Sequence, residues 1–379
     1  MGQKLLDSAI DDAPPTVAKR VGLKDVAARA GVSINTVSRA IRAPHTVRPD
    51  LRRQIEALLE ELDYVPNRLA GGLAGAHTDV VGVILTSLFY SEYAAMIDAL
   101  QSELGRAGLS VMIGNSHYDL DQELQLVRTL LSWQPAAMAL VGTDHHPKVA
   151  ELLAAAQIPV VEIWEAGRAH IDSAVGMDHG AIGRSQIQHL LDRGYRRIAF
   201  VGCIRRHDYR AQRRRDAGLD LLREHGLEPI TVTAPDGGNA ALGESLADLL
   251  LAAHPDIDGI ACNSDVIAMG VLRALARAGR SVPDQIGVIG FGDNEAATCV
   301  TPALSTLCPP RAAIGHAAAE AVLARIAGGS AVERVFPGEL IARASTARTA
   351  KGKEALIHTT DQQRAGRSKP ARQLTTREQ

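Results

Sequence analysis

Apolar and polar positions keep a helical rhythm from Leu23 to Leu62 and then change it. In Lys24–Ala30, Val26, Ala27 and Ala30 recur on one helical face. Gly31 supplies the break for a tight turn, and Ser33 stands where an N-cap belongs. Ile34–Ile41 resumes the period with Val37, Ala40 and Ile41 facing inward. Arg48–Leu62, opened by Pro49, places Leu51, Ile55, Leu58, Leu59 and Leu62 on a third helix. The spacing predicts a three-helix domain over 21–65. From Val80 short apolar runs alternate with helical stretches. Strands are predicted at 80–85, 109–114, 138–142, 159–164 and 174–177, and again at 197–202, 230–234, 259–263 and 286–291. Helical patterns lie between them, among them Tyr93–Ala107, Gln122–Trp133, Ala181–Arg193 and Val266–Ala278. This alternation predicts an α/β fold of doubly wound parallel sheets, and two successive series imply two lobes over 79–345. The lobes share a pattern without a close internal sequence repeat.

The second helix carries chemistry on its outer face: Ile34, Asn35, Thr36, Ser38 and Arg39. Asn pairs bidentately with adenine and Arg with guanine; Ile offers an apolar surface to a thymine methyl, and Ser or Thr holds phosphate. Two helices with a glycine turn therefore read as a DNA-reading helix-turn-helix, the alternative being a short helical hairpin with solvated polar residues. The completing third helix favours the first.

Two segments together carry a resemblance: VAARAGVSINTVSRA at the head and YVPNRLAGGLAG after the third helix. Across roughly Val21–Ala344 the chain resembles the lactose-repressor/galactose-repressor family of bacterial transcription factors. The resemblance implies a head that binds double-stranded operator DNA and a periplasmic-binding-protein-like core that takes a small-molecule effector and forms a homodimer. It also implies a hinge at 66–78 in which Asn67 and Ala70 meet DNA and Leu73 wedges into the minor groove. Asn67–Leu73 is far shorter than the roughly 12–15 residues an isolated helix needs, and Gly71 and Gly72 weaken it further. Such a hinge orders only when paired on DNA, unless it is a plain flexible linker.

Composition narrows the remaining classes. At 379 residues with 46% hydrophobic and only 3% aromatic content, the cores are built from Ala, Leu, Val and Ile. No run reaches the 18 or so apolar residues of a membrane span, and residues 1–20 lack a secretory apolar stretch, so a cytoplasmic protein without a membrane partner is expected. Cys203, Cys262, Cys299 and Cys308 show no disulfide or metal-ligand spacing. Residues 20–75 hold nine Lys/Arg against six Asp/Glu, whereas 76–342 are net acidic, a basic head on an acidic body. The flanks, 1–20 and a basic 346–379, read as disordered. The chain has neither the dinucleotide glycine fingerprint, nor a phosphate loop, nor a nucleophile elbow, so no enzyme, cofactor or metal is expected.

Ligands of such sheets bind beyond the carboxyl ends of strands. After the strand at 197–202, Asp208 is placed to cap a helix whose first turns hold Arg210, Arg213, Arg214 and Arg215. Cations at a helix N-terminus oppose its dipole, which makes sense beside an anion. The resemblance places Arg215 where relatives hold a ligand oxygen or carboxylate, with Arg210 as a second candidate. It aligns Ser264 and Asp265 with a polar ligand loop, Asp293 with a sugar-hydroxyl acceptor and Tyr93 with a stacking position. Stretches such as LVGTDHHP and GFGDNEAATCVTPALSTL resemble the gluconate-repressor branch, which implies a sugar acid such as gluconate. A neutral sugar or a nucleobase stays open, as does a sugar-binding protein without a regulatory role. His145–His146 reads as an adjacent surface pair.

The outer face of the second helix divides by chemistry. Asn35→Ala and Arg39→Ala should each cost about 1–3 kcal/mol in operator binding and relax preference at one base position. Ser33 and Thr36 substitutions should weaken all sequences more evenly. Binding-site selection followed by gel retardation measures both.

Overall fold

A computed structural model describes residues 22–62, 64, 78–88 and 91–348. The flank 1–20, the hinge residues Asn67, Ala70 and Leu73, and the tail from 349 lie outside the described residues. The chain divides into two compact units, 1–76 and 77–379.

The first unit contains α1 (Leu23–Ala30), α2 (Ile34–Arg42) and α3 (Pro49–Glu61). Gly31 ends α1 in the left-handed conformation at φ 66°, its N–H returning to Ala27 and Ala28. Ser33 caps α2, accepting from the Thr36 N–H at 3.1 Å. Val26, Ala27, Ala30, Val37, Ala40 and Ile55 form the small core, with Leu51, Leu58, Leu59 and Tyr64 packed around it. The apolar period thus folds as its spacing predicts.

The second unit holds two six-stranded sheets. The first is built from β1 (Thr78–Leu85), β2 (Ser110–Asn115), β3 (Pro135–Val141), β4 (Val160–Glu165), β5 (Ser173–Met177) and β11 (Glu333–Val335). The second holds β6 (Ile198–Cys203), β7 (Ile230–Ala234), β8 (Gly259–Cys262), β9 (Gly287–Phe291), β10 (Ser305–Cys308) and β12 (Glu339–Ile341). Strand orders are β11-β5-β4-β3-β1-β2 and β12-β10-β9-β8-β6-β7, so the lobes repeat one topology. All pairings are parallel except β10 with β12. In each lobe the order reverses beside the first strand, opening a crevice at the carboxyl ends of β1 and β3, and of β6 and β8.

The intervening helices are α4 (Ser91–Arg106), α5 (Leu120–Ser132), α6 (Pro147–Ala156), α7 (His179–Asp192), α8 (Tyr209–Glu224), α9 (Ala240–Ala253), α10 (Asp265–Arg277), α11 (Ala296–Cys299) and α12 (Arg311–Ile326). The chain passes between lobes three times: into α7, into α12 and from β11 to β12. One apolar cluster accordingly runs through both lobes, joining Tyr93 and Trp164 to Ile182, Phe200 and Phe291. The fold also extends past the boundary expected at 345. Ser345 and Thr346 are buried, and the Arg348 guanidinium stacks on Tyr195 at 4.0 Å, beside Asp258.

Helix α8, which carries the arginines, is pressed against α7. A Cβ on Gly183 would sit 1.9 Å from the Arg214 carbonyl oxygen, a clash with backbone that no side-chain rotation relieves. Gly183→Ala should therefore overpack this seam and destabilise the core by about 1–3 kcal/mol, read as a lower urea midpoint with an unchanged slope.

Candidate functional site: the interlobe cleft

The loops and helix N-termini that follow the central strands meet in a tight cleft with about 40 Å³ of free space. From the first lobe it is lined by Glu92 and Tyr93 at the start of α4, by Tyr118 and by Trp164. From the second come Asp208, Arg210, Arg214, Asn263, Ser264 and Phe291. Tyr93 and Trp164 meet edge to face with centroids 5.2 Å apart. Asn263 donates to the Cys203 carbonyl at 2.8 Å and accepts from its N–H at 3.2 Å, tying the tips of β6 and β8 together. Ser264 caps α10, its Oγ taking the Ile267 N–H at 3.3 Å.

Asp208 caps α8 as its sequence position predicts, and the four arginines that follow fan out by helical phase. Arg210 and Arg214, one turn apart, point into the cleft and are 4% and 6% exposed. Arg210 donates to Thr86 Oγ1 at 3.0 Å. Arg214 stacks on the Phe291 ring at 4.2 Å and donates to His179 Nδ1 at 2.9 Å. His179 faces the Trp164 carbonyl through its other nitrogen, at 3.2 Å. Complete burial holds the His179 pKa well below its usual value, helped by the charges of Arg214 and Arg210, so the imidazole is neutral. The partner of Arg214 is thus a neutral ring, and the guanidinium Nε is buried without a partner. Neither Arg210 nor Arg214 forms an ion pair among the described residues.

Arg213 turns the other way and bridges the lobes, reaching Glu165 at 2.6 Å and Asp144 at 2.5 Å. The Thr143 hydroxyl donates to the second Glu165 oxygen at 3.2 Å. Further cross-lobe bonds join Ser91 to Asn294, and His207 Nδ1 to the Tyr118 carbonyl at 3.0 Å. The cleft is closed on itself.

Of the residues expected to face an effector, Tyr93, Arg210 and Ser264 line the cleft; Arg215 and Asp293 do not. Arg215 lies about 100° around the helix from Arg214 and pairs with Asp216 at 2.7 Å. Asp293 adopts φ 51° and pairs with Arg343 at 2.7 Å, beyond the cleft wall. Asp265, aligned beside Ser264, is buried: its carboxylate accepts from Thr306 Oγ1 at 2.6 Å and from the Asn294 N–H at 2.8 Å. Burial raises its pKa to about 6 against those two bonds.

The sequence reading missed Arg214, although it lies in the arginine cluster, and Glu92, whose neighbour Tyr93 it named. The Glu92 carboxyl is 5% exposed and its Oε2 has no partner. Burial raises its pKa, while Arg311 and Arg214 act in opposition. On the head, Ile34 is 42% exposed, and Asn35 and Arg39 are exposed, while Thr36 and Ser38 are half-buried. Ser33 and Thr36 hydroxyls lie 2.9 Å apart, bonded to each other.

Residues 22–67 match the model for bacterial regulatory proteins of the lacI family, and residues 187–346 match the periplasmic binding protein-like domain. The chain is 36% identical over 333 residues to the HTH-type transcriptional regulator GntR of Pseudomonas aeruginosa, covering 86% of this chain and 96% of that protein. Its structure is similar to that of a lacI-family transcriptional regulator from Silicibacter pomeroyi, with TM-score 0.82 and 31% identity over 86% of this chain and 100% of that one. It is also similar to the lac repressor dimer bound to operator and the anti-inducer ONPF, with TM-score 0.75 and 25% identity over 86% and 99% of the two chains.

The loop behind the cleft corrects the reading of His145 as a surface residue. Its ring is buried between two carboxylates, Glu123 at 2.7 Å and Glu162 at 3.3 Å, while His146 caps α6. Burial alone would lower the His145 pKa, but bonds and charge from Glu123 and Glu162 outweigh it and lift it to about 9. A group whose folded pKa lies above its unfolded value of about 6.5 contributes its full stability below pH 6.5. That contribution is lost as pH climbs through about 9. Urea midpoints should therefore fall between pH 6.5 and 9.5, by stability on the order of 3 kcal/mol, and this fall should be absent in His145→Gln.

Proposed function

The chain belongs to the lacI family of bacterial regulatory proteins and is a DNA-binding transcriptional regulator rather than an enzyme; we propose that a sugar acid of the gluconate type, bound in the interlobe cleft, sets its affinity for operator DNA. The observation that carries the effector class is the pair Arg210 and Arg214. Two guanidiniums are buried in the cleft with a hydroxyl, one carbonyl and a neutral imidazole as partners, and without an ion pair among the described residues. Asp208 and Glu165 act on these cations by charge from a distance, and an effector carboxylate would add the direct, hydrogen-bonded counter-ion that the pair lacks. Tyr93, Trp164 and Phe291 offer apolar faces to a carbon chain or ring, and Ser264 a hydroxyl to its polar edge.

Regulation then follows from geometry. A ligand that touches both lobes favours one interlobe angle, and differential binding of about 1–3 kcal/mol changes operator affinity some 5–150-fold without any chemical step. The head supplies the DNA contacts, with exposed Asn35 and Arg39 reading bases and the Ser33 and Thr36 hydroxyls near phosphate. In this reading two chains pair, as in the lac repressor dimer, so the operator is an approximate palindrome. Asn67, Ala70 and Leu73 form the hinge contacts on DNA.

Arg214→Gln should weaken gluconate binding in titration calorimetry by about tenfold or more, the loss expected for a hydrogen bond to a charged group. Operator retardation of the ligand-free variant should stay within a few-fold of wild type. Arg215→Ala, outside the cleft, should leave the response intact. Tight binding of a neutral sugar or purine with none of gluconate would overturn the sugar-acid assignment and leave the regulator standing.

A further inference from the structure

We infer that Glu92 is a specificity-determining residue of the cleft: it accepts a hydroxyl of the effector from the first lobe and rejects a second carboxylate at that end. The inference rests on the sugar-acid reading above and deepens it. Two polar atoms of the cleft wall are buried without a partner, Arg214 Nε and Glu92 Oε2. One is a donor on the second lobe and the other an acceptor on the first. A ligand that satisfies both must carry an acceptor group at one end and a hydroxyl donor at the other. An aldonate does so in a single chain, whereas a neutral sugar leaves the cations uncompensated.

The second lobe is shaped around this carboxyl. Gly292, at φ 130°, faces it, and a Cβ there would lie 2.1 Å from Glu92 Oε1. The left-handed φ at this position favours glycine, and the absence of a side chain leaves the Glu92 carboxyl its present place. Across that gap stands the buried Asp265, whose titration Glu92 influences directly by charge. This end of the cleft thus carries two carboxyls, with Arg311 as the cation beside Glu92, while Arg210 and Arg214 stand at the other with Asp208. The polarity orients a sugar acid with its carboxylate toward α8 and its hydroxyls toward α4. An aldarate, carrying a carboxylate at each end, would set its second charge against Glu92 and Asp265.

The test is titration calorimetry of the full chain with gluconate and with glucarate. Wild type should bind gluconate at least tenfold more tightly than glucarate. Glu92→Gln should narrow that ratio to under about threefold by weakening gluconate and strengthening glucarate, since the charge is gone and the shape is kept. A ratio unchanged in a folded Glu92→Gln protein overturns the role of Glu92 and leaves the effector class standing. Wild-type protein that binds neither acid overturns the effector class, and this inference with it. Should Glu92→Gln not fold, as thermal unfolding would report, Glu92→Asp decides. Its charge is kept but withdrawn by one methylene, so gluconate should weaken about tenfold with glucarate still excluded. Unchanged gluconate affinity in Glu92→Asp would likewise sink the idea.

Discussion

The core is organised around buried positive charge on one helix, which Asp208 and Glu165 offset by charge without pairing to Arg210 or Arg214 directly. Three arginines of one helix enter the interlobe region, and their fates differ because 100° of helical phase separates successive residues. Arg213 finds Glu165 and Asp144 and becomes a bridge between lobes. Arg210 and Arg214 face inward, where a neutral imidazole, a hydroxyl and aromatic rings are the available partners. Continuum reasoning makes such burial unfavourable unless a counter-charge arrives. The burial of His179 bears directly on this: a charged imidazole beside Arg214 would add a further cation, and burial keeps it neutral instead.

Much of this architecture is legible in the sequence, for identifiable reasons. Most of the nine predicted strands are apolar runs buried on both faces, the pattern of parallel sheets covered by helices, while the edge strands β2 and β7 are only partly buried. The three strands that the pattern does not reveal are short and chemically different. In β10, Ser305 and Thr306 are buried polar residues, with hydroxyls bonded to Arg343, Thr346 and Asp265. The three-residue strands β11 and β12 sit at sheet edges and are largely exposed. No apolar period could mark them. They nonetheless complete the two sheets and carry the third passage between lobes.

The site was legible by location more than by residue. Strand-end loops and the arginine cluster identify the cleft, but choosing one arginine by its distance from a downstream motif selects Arg215, one position from the face that lines the cleft. A shift of one residue moves a helical side chain by 100°, enough to exchange the cleft for solvent and Asp216. Asp293 illustrates a different limit: its pairing with Arg343 spans fifty residues of sequence and depends on the return of the chain from β12. His145 is a third case. Adjacent histidines in a loop look like surface, and the two carboxylates that bury one of them come from α5 and β4.

These placements bear on how a small ligand can be felt beyond the cleft. The bonds that close the lobes are polar and few: Arg210 to Thr86, Arg213 to Glu165 and Asp144, His207 to Tyr118, Ser91 to Asn294. Their net contribution is modest, because opening exchanges each for a bond to water. The apolar cluster that runs through both lobes adds contact that is not polar, including Ile182 of α7. An equilibrium between closed and open lobes therefore rests on small differences, the regime in which a ligand's differential affinity decides the population. A sugar acid bridging α4 and α8 would add charge-assisted bonds only in the closed form. In the proposed reading, the arginine helix α8 is thereby the element through which an effector would alter the balance between lobes.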